Sequence, residues 1–342
     1  MGRRSNVYEP IRSGFRTLYG FAGETIDTTQ KVTDGDALEC AENSEPITGN
    51  RLWRLGHILL LTLVFHSRYC TKALELIAAG DPMNRLTVSD FTAHNHVPAE
   101  LKFESGELVL KGFLFTPTGP GPFPCVINNH GSNLRPDSSM VSKPGLAALH
   151  MEWGYAFFFP HRRGYGHSPG LSVADAIPAT LGSDAYDEQI VHRLDDELHD
   201  VIAAVSAMRA HPHIDSVKIA VSGSSRGGIL SFLAAAKDTG LRAAINFSGG
   251  ARQWTDHFRL REKMLRAASC ISQPIFLAQA ANDFNPAATL ELAEELARLG
   301  KDHDSRIYPP WGASAAEGHM FELNGSTIWG RDVQQFLNVA MK

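Results

Sequence analysis

A serine between glycines is the first residue whose type and surroundings are suited to covalent chemistry. The motif GSSRG (Gly223–Gly227) follows a β-branched run and precedes an Ala/Leu-rich stretch. At a strand-to-helix turn, a G-x-S-x-G motif exposes the serine hydroxyl above the sheet, where a helix N-terminus favours developing negative charge. GHSPG (Gly166–Gly170) matches the same pattern, but it follows a polar loop and no helical period begins after it. The context therefore predicts Ser225, and not Ser168, as a nucleophile.

A serine hydroxyl needs a base to take its proton, and the base needs a carboxylate to orient it. On a fold with this turn, the acid and the histidine follow the serine in that order. Asp283 comes after the next-but-one predicted strand, and His319 comes after the last one, in a Gly-rich loop. His303 precedes that last strand and would lie at the opposite end of the sheet. The spacing predicts Ser225, Asp283 and His319 as a catalytic triad, against the simpler interpretation of a turn aspartate and a solvated histidine.

Backbone N–H groups are the expected donors to a developing oxyanion. One is the amide of Arg226, directly after the nucleophile, and the second should come from the loop after an early strand. The segment CVINNHGSN ends in such a loop, which favours the Ser132 amide with Gly131 as the alternative. His130 is predicted to tether this loop by hydrogen bonds rather than to act as a base.

Three arginines near these motifs call for partners. The Arg226 side chain lies in the first turn of a predicted helix, where a cation opposes the helix dipole. It is therefore expected to meet a partner, either an acidic residue nearby or a carboxylate of the substrate, and pairing with a surface acid is the simpler interpretation. Arg162 and Arg163 are expected to pair with acids of the long helix that carries DDELHD (Asp195–Asp200).

The walls of a substrate pocket are predicted from residue type alone. Gly131 and four aromatic residues are candidates, although core packing is the commoner fate of aromatics. The aromatic candidates are Trp254, Phe258, Trp311 and Phe321. The stretch Leu171–Asp187 is a candidate cap over the pocket.

Strands and helices alternate from about residue 86 to the end of the chain, which favours an α/β fold with a mostly parallel sheet covered on both faces. The predicted organisation is an N-terminal extension over residues 1–85, poorly ordered or with one or two helices, and a catalytic domain over 86–342. The apolar run Ile58–Phe65 is shorter than the roughly 20 residues of a membrane helix and lies too far along the chain for a signal peptide. No methionine occurs between Met1 and Met83, so one hypothesis is that the natural start lies later than Met1. The alternative is a poorly ordered extension with one helix packed on the body.

Composition excludes several classes of function. The 342 residues carry a formal net charge of −5, with no basic stripe, so nucleic acid is not an expected partner. The four cysteines have no metal-ligand spacing. His94 and His96 could chelate a metal, but two solvated loop histidines are the preferred interpretation.

We expect no metal, no cofactor and no stable membrane insertion. Reduced thiols indicate the cytoplasm, although the N-terminal segment leaves secretion open, and the oligomeric state is not predicted.

Five segments together resemble a known family. NNHGSN, FPHRRGYGHSPG, GSSRGG, AANDFNP and YPPWGASAAEGH are similar to those of dienelactone-hydrolase-like α/β-hydrolases, and the prolyl-oligopeptidase catalytic domain is a similar relative. The resemblance covers about residues 86–342 and implies the α/β-hydrolase fold and the same triad. Dienelactone hydrolase proper uses a cysteine nucleophile, whereas residue 225 is serine, so dienelactone is not the expected substrate. Residues 1–82 are also too few to form the propeller domain of prolyl oligopeptidases.

These observations predict a serine hydrolase that cleaves carboxylic esters through an acyl-enzyme intermediate. A small peptidase or amidase of the prolyl-oligopeptidase type is one alternative. A hydrolase-fold protein that only binds its ligand is the other. The expected partner is a small-molecule ester.

Overall fold

The computed structural model describes residues 97–132, 143–180 and 182–342, which form alternating strands and helices. The strands are β1 (Ala99–Ser105), β2 (Leu108–Phe115), β3 (Phe123–Asn129), β4 (Ala156–His161), β5 (Ile214–Ser224), β6 (Ala243–Phe247), β7 (Ile275–Ala280) and β8 (His303–Tyr308). The helices are α1 (Pro144–Glu152), α2 (Val173–Ala176), α3 (Asp184–Ala210), α4 (Arg226–Lys237), α5 (Phe258–Cys270), α6 (Ala287–Arg298), α7 (Ala315–His319), α8 (Phe321–Asn324) and α9 (Ser326–Ala340). The predictions for residues 1–85, and those for His94 and His96, lie outside the described residues.

One sheet of eight strands joins these elements, in the order β1-β2-β4-β3-β5-β6-β7-β8. The pairs β1/β2 and β2/β4 are antiparallel, and all later neighbours are parallel. The strand order reverses at β3, which lies between β4 and β5. Ligands of open α/β sheets bind beyond the carboxyl ends of the strands at such a switch point. The loops after Asn129 and Ser224 meet there, because Asn129 is the register partner of Gly223.

Both faces of the sheet are buried, as the continuous apolar strands predict. On β3, Ile127 joins the core under helices α3 to α6, while its neighbour Val126 joins the core under α1 and α9. Phe158 and Phe157 of β4 divide between the two cores in the same way. The helices therefore clamp the sheet from both sides, and the loops at its carboxyl edge are held by a rigid support.

Small differences from the sequence-based predictions occur at element ends. The turn between β1 and β2 is at Gly106-Glu107, one residue later than expected, and Gly106 takes a left-handed φ of 59°. His303 is the first residue of β8 rather than part of the preceding loop, and His319 ends the short helix α7 rather than lying in an open loop. Within the described part of the chain, no helix combines the length and apolar character that crossing a membrane requires.

Candidate active site

The turn between β5 and α4 holds Ser225 in a strained backbone conformation. Its φ is 55° and its ψ is −123°, a region that non-glycine residues adopt only when the surrounding structure enforces it. The Ser225 N–H donates to the carbonyl of Phe247 at 2.8 Å. A Cβ at Gly227 would lie 2.0 Å from the Asn129 carbonyl oxygen, and one at Gly223 would lie 2.6 Å from the same atom. The two glycines therefore let helix α4 approach β3 and β5 closely enough to form this turn.

The structure brings the side chains of Ser225, His319 and Asp283 into one chain of hydrogen bonds. His319 Nε2 lies 2.9 Å from Ser225 Oγ, and His319 Nδ1 lies 2.8 Å from Asp283 Oδ1. An ionised carboxylate can only accept hydrogen bonds, so Nδ1 of His319 carries the proton and donates it to Asp283. Nε2 is then the acceptor for the Ser225 hydroxyl.

Asp283 accepts hydrogen bonds from other groups besides His319. Its Oδ1 accepts the Phe284 N–H at 2.6 Å, and its Oδ2 accepts the Gln279 side-chain N–H at 3.0 Å. Burial alone raises the pKa of this carboxyl, but hydrogen bonds from His319 and the Ser248 hydroxyl outweigh burial and leave the pKa below its usual value. The carboxylate is therefore ionised at neutral pH and fixed in orientation.

The loop that carries His319 is tied to the loop that carries Asp283. Asn282 donates from Nδ2 to the carbonyls of Trp311 and Ser314, at 2.9 and 3.0 Å, and its Oδ1 accepts the Trp311 N–H at 2.8 Å. A Cβ at Gly318 would lie 2.7 Å from Asn282 Oδ1, so only glycine fits in front of His319. These contacts set the distance between acid and histidine.

The residues predicted to bind an oxyanion lie at the same cavity as Ser225. Arg226 is the first residue of α4, where an N–H has no partner inside the helix. Gly131 and Ser132 follow β3 and line the cavity. His130 tethers their loop, as expected: its Nε2 accepts the Arg162 N–H at 3.2 Å, and its Nδ1 donates to the Gly131 carbonyl at 2.7 Å. Burial first, and then the Arg162 charge, hold the pKa of His130 well below its ordinary value.

A buried carboxylate lies beneath the turn and takes charged hydrogen bonds from three arginines. Glu197 of α3 accepts from Nε and Nη2 of Arg226 at 2.8 and 3.0 Å, from Arg162 Nε at 3.0 Å and from Arg193 Nε at 2.8 Å. All four side chains are buried. Burial by itself raises the pKa of Glu197, but the three guanidinium groups outweigh it and lower the pKa to about 2.

This cluster answers two predictions. Arg226 has the acidic partner that was expected nearby, and the interpretation as a pair with a surface acid is wrong because Glu197 is buried. Two of the three guanidinium nitrogens of Arg226 donate to this carboxylate. Arg162 and Arg163 pair with the predicted helix: Arg162 with Glu197, and Arg163 with Asp200 at 2.8 Å. Arg162 also donates to the His130 carbonyl at 2.8 Å, so one carboxylate anchors both the serine turn and the loop after β3.

The second G-x-S-x-G motif has a structural role. Ser168 Oγ donates to the His161 carbonyl at 2.7 Å and accepts the Lys111 N–H at 2.9 Å. Its hydroxyl therefore joins the loop after β4 to strand β2.

A cavity of about 1020 Å³ opens beside Ser225 and His319. Phe159, Ile190, Met320 and Leu323 provide apolar wall, while Gln253, Asp256 and His257 contribute polar groups from the loop before α5. Val173, Gly182 and Tyr186 also line it, so residues of the stretch predicted to cap the pocket lie at its wall. Whether the stretch covers the pocket stays a prediction.

The aromatic pocket walls were predicted wrongly. Trp254, Trp311 and Phe321 are not among the described residues that line the cavity, and Phe258 lies on a separate surface groove. Trp254 and Phe321 are core residues, and Trp311 packs against the same core as Phe321. Phe258 is 66 % exposed. Residue type alone indicates a large apolar side chain but not which face of its element it occupies. Of the predicted wall residues, Gly131 does line the cavity.

Several residues of the site were missed by sequence reasoning. Gln279 is a polar residue inside the apolar strand β7, and Glu197 occupies the apolar stripe of α3 between Leu194 and Val201. A polar residue at an apolar position of a strand or helix indicates a buried hydrogen-bonding group, because a buried polar group requires partners. Ser248 has no comparable signal beyond its place after β6.

The fold and this hydrogen-bonded arrangement define an α/β-hydrolase. The model of the dienelactone hydrolase family matches residues 150–321, just over half of the chain. The chain belongs to the dienelactone hydrolase family.

Solved structures share the fold at low sequence identity. An acylaminoacyl peptidase from Pyrococcus horikoshii is 17 % identical with a TM-score of 0.56, and the match covers 75 % of this chain but 44 % of the peptidase. This chain thus spans less than half of that protein's length. An esterase from Pyrococcus furiosus is 16 % identical with a TM-score of 0.52, and the match covers 75 % of this chain and 95 % of the esterase.

Proposed function

We propose that this hydrolase cleaves carboxylic esters through a Ser225–His319–Asp283 triad and an acyl-enzyme intermediate. His319 Nε2 takes the proton of Ser225 as Oγ attacks the ester carbonyl, and Asp283 stabilises the imidazolium that forms. The amide of Arg226, with that of Ser132 or Gly131, binds the oxyanion. His319 then gives its proton to the departing alcohol. Water then loses a proton to the same histidine and attacks the acyl carbonyl. The bond between the acyl carbon and Ser225 Oγ breaks, His319 returns the proton to Oγ, and the acid is released.

The observation that carries this proposal is the pair of hydrogen bonds that His319 makes. Its Nε2 lies 2.9 Å from the hydroxyl of Ser225, whose backbone is strained, and its Nδ1 lies 2.8 Å from the buried carboxylate of Asp283. A serine with a base in reach, and a base oriented by a third group, is the arrangement that nucleophilic catalysis requires. Every step uses groups of the protein and water, so the proposal needs no cofactor.

The cavity is consistent with a small-molecule ester as the partner. Its volume of about 1020 Å³ lies at the upper end of the range usual for small-molecule sites, and apolar walls alternate with a few polar groups. Arg226, Gly131 and Ser132, whose amides are the proposed oxyanion donors, line the same cavity as Ser225, which supports this role.

Turnover of matched substrates tests the proposal. The wild type should hydrolyse p-nitrophenyl acetate with a higher kcat/KM than an aminoacyl p-nitroanilide. Ser225→Ala should lose about five to six orders of magnitude in kcat/KM. Ser168→Ala is the matched control, since its hydroxyl only bridges two strands, and it should retain activity.

Two outcomes would overturn the ester assignment. A higher kcat/KM on the anilide would make the protein an amidase or peptidase with the same triad. A folded wild type with no turnover of either substrate would indicate a binding protein on a hydrolase fold.

A further inference from the structure

A second histidine lines the cavity and is backed by its own aspartate. His257 precedes α5, is 5 % exposed and lines the cavity. Its Nδ1 lies 3.4 Å from Oδ1 of Asp187, which is in the first turn of α3. The other oxygen of Asp187 accepts the Arg259 N–H at 3.0 Å. Within the described part of the chain, these two atoms are buried and neither has a hydrogen-bond partner, so each is the nearest polar group that the other faces. The proposed mechanism uses neither residue.

The aspartate determines which ring nitrogen of His257 is free for a ligand. A carboxylate only accepts, so the proton of neutral His257 lies on Nδ1, the nitrogen that faces Asp187. Nε2 then carries a lone pair and is an acceptor. No described residue is found to hydrogen-bond Nε2, and the ring borders the cavity, so a bound molecule is the partner within reach.

The wall around His257 is both polar and apolar. Gln253 and Asp256, from the same loop, line the cavity and carry acceptor oxygens, while Arg252 of that loop carries donors. The Tyr186 ring lies 5.5 Å from the His257 ring, measured between centroids, and forms part of the same wall. Apolar surface of the same cavity comes from Phe159, Ile190, Met320 and Leu323. A molecule with an apolar or aromatic body and a hydrogen-bond donor that faces His257 Nε2 matches this lining.

We propose that His257 determines substrate specificity by accepting a hydrogen bond from a hydroxyl group of the ester, and that Asp187 is its positioning residue. The substrate class is an ester whose apolar or aromatic body carries a hydroxyl. This inference rests on the proposed function of Ser225 and assigns a role to another part of the wall of the same cavity. A site built to bind a hydroxyl discriminates against an analogue that lacks it, because its buried acceptor is left unpaired.

Binding to Ser225→Ala tests the inference without turnover. The probes are methyl 3-phenylpropanoate and its 3-hydroxy, 4-hydroxy and 4-hydroxymethyl ring derivatives, measured by calorimetry. At least one hydroxylated ester should bind about tenfold more tightly than the parent. Adding His257→Phe should abolish that preference, and adding Asp187→Asn should reduce it. His192→Phe, an exposed histidine of α3, is the matched control and should leave the preference as it is.

The same four esters provide a kinetic readout in the active protein. The ratio of kcat/KM for the preferred hydroxylated ester to that for the parent should fall about tenfold in His257→Phe. Equal binding of all four esters to Ser225→Ala, binding of none of them, or a preference that survives His257→Phe would each overturn the inference. If His257→Phe does not fold, the comparison of the four esters in Ser225→Ala alone still decides.

Failure of the two proposals can be told apart. If the hydroxylated esters bind more tightly in a way that depends on His257, but the wild type hydrolyses none of them, the proposed function is wrong and this inference stands. If the wild type hydrolyses all four esters without a preference for the hydroxyl group, the proposed function stands and this inference is wrong.

Discussion

Two histidine–aspartate pairs lie at the same cavity and differ in what surrounds them. His319 lies 2.8 Å from Asp283 and 2.9 Å from the Ser225 hydroxyl. His257 lies 3.4 Å from Asp187, and no described serine, threonine or cysteine side chain is found to hydrogen-bond it. Under our two proposals, the same two residue types serve covalent chemistry in one place and recognition in the other, and the third partner decides between them.

The difference follows from the elements that carry each pair. Asp283 and His319 follow the carboxyl ends of β7 and β8, at the edge where Ser225 follows β5. Parallel strands bring such loops together. Asp187 and His257 lie instead at the starts of two helices, α3 and α5, which cover one face of the sheet. His257 lines the cavity wall, and no hydrogen bond joins it to Ser225 in the described part of the chain.

The largest expected effect separates the two histidines by activity. His319→Ala should lower kcat/KM on an ester without a hydroxyl by about five to six orders of magnitude, because the base is lost. His257→Ala should lower it by no more than about tenfold on the same ester. Steady-state kinetics of both variants checks this. A loss of similar size in both would remove the distinction between the pairs.

The two aspartates should differ nearly as much. Asp283→Asn should cost about 10⁴-fold in kcat, since an amide N–H stabilises the wrong tautomer of His319. Asp187→Asn should cost at most about tenfold on an ester without a hydroxyl. The measurement is kcat for both variants, with circular dichroism to confirm that each is folded. An Asp283→Asn enzyme within tenfold of the wild type would show that His319 does not need this carboxylate.

The free energy of unfolding should depend more on Glu197, which lies beneath the serine turn, than on Asp187, which faces His257. Glu197→Gln should lower the free energy of unfolding by about 3–5 kcal/mol, because three buried guanidinium groups lose their counter-charge. Asp187→Asn should cost less, since its partners are a backbone N–H and a more distant histidine. Urea unfolding of both variants measures the difference. A smaller loss for Glu197→Gln than for Asp187→Asn would contradict the role of Glu197 as the anchor of the serine turn.

Lowering the pH should reduce the contribution of Glu197 to the free energy of unfolding, by less than the Glu197→Gln substitution does. The folded-state pKa of Glu197 is about 2, below its ordinary value of 4.5. A lowered pKa means that its stabilisation is complete above about pH 4.5 and is lost as the pH falls towards 2. The wild type should therefore lose about 1–3 kcal/mol more unfolding free energy than Glu197→Gln across this window. Equal losses in urea titrations at pH 5 and pH 3 would refute the shift.

Sequence order was sufficient to place Ser225, Asp283 and His319 at one edge of the sheet, because loops after parallel strands converge there. The glycines around Ser225 could also be interpreted, since their spacing reflects the close approach of α4 to β3. The residues of the pocket walls could not be predicted, because the sequence does not indicate whether an aromatic side chain such as that of Trp254 faces the core or a cavity. The full cluster around Glu197 could not be predicted either, because its three arginines come from the loop after β4, from α3 and from α4, which only the fold brings together.

The role of His257 illustrates the same limit. It precedes a helix with no motif around it, and Asp187 is 70 residues earlier in the chain. Their pairing depends on how α3 and α5 pack over the sheet, which periodicity alone does not determine.

Labelling with a fluorophosphonate tests the central claim most directly, since only an activated serine reacts rapidly with it. Peptide mass spectrometry should find one phosphonyl group, on Ser225, and the adduct should be absent in Ser225→Ala and strongly reduced in His319→Ala. A folded protein that stays unlabelled, or one that carries the adduct on Ser168, would contradict the claim.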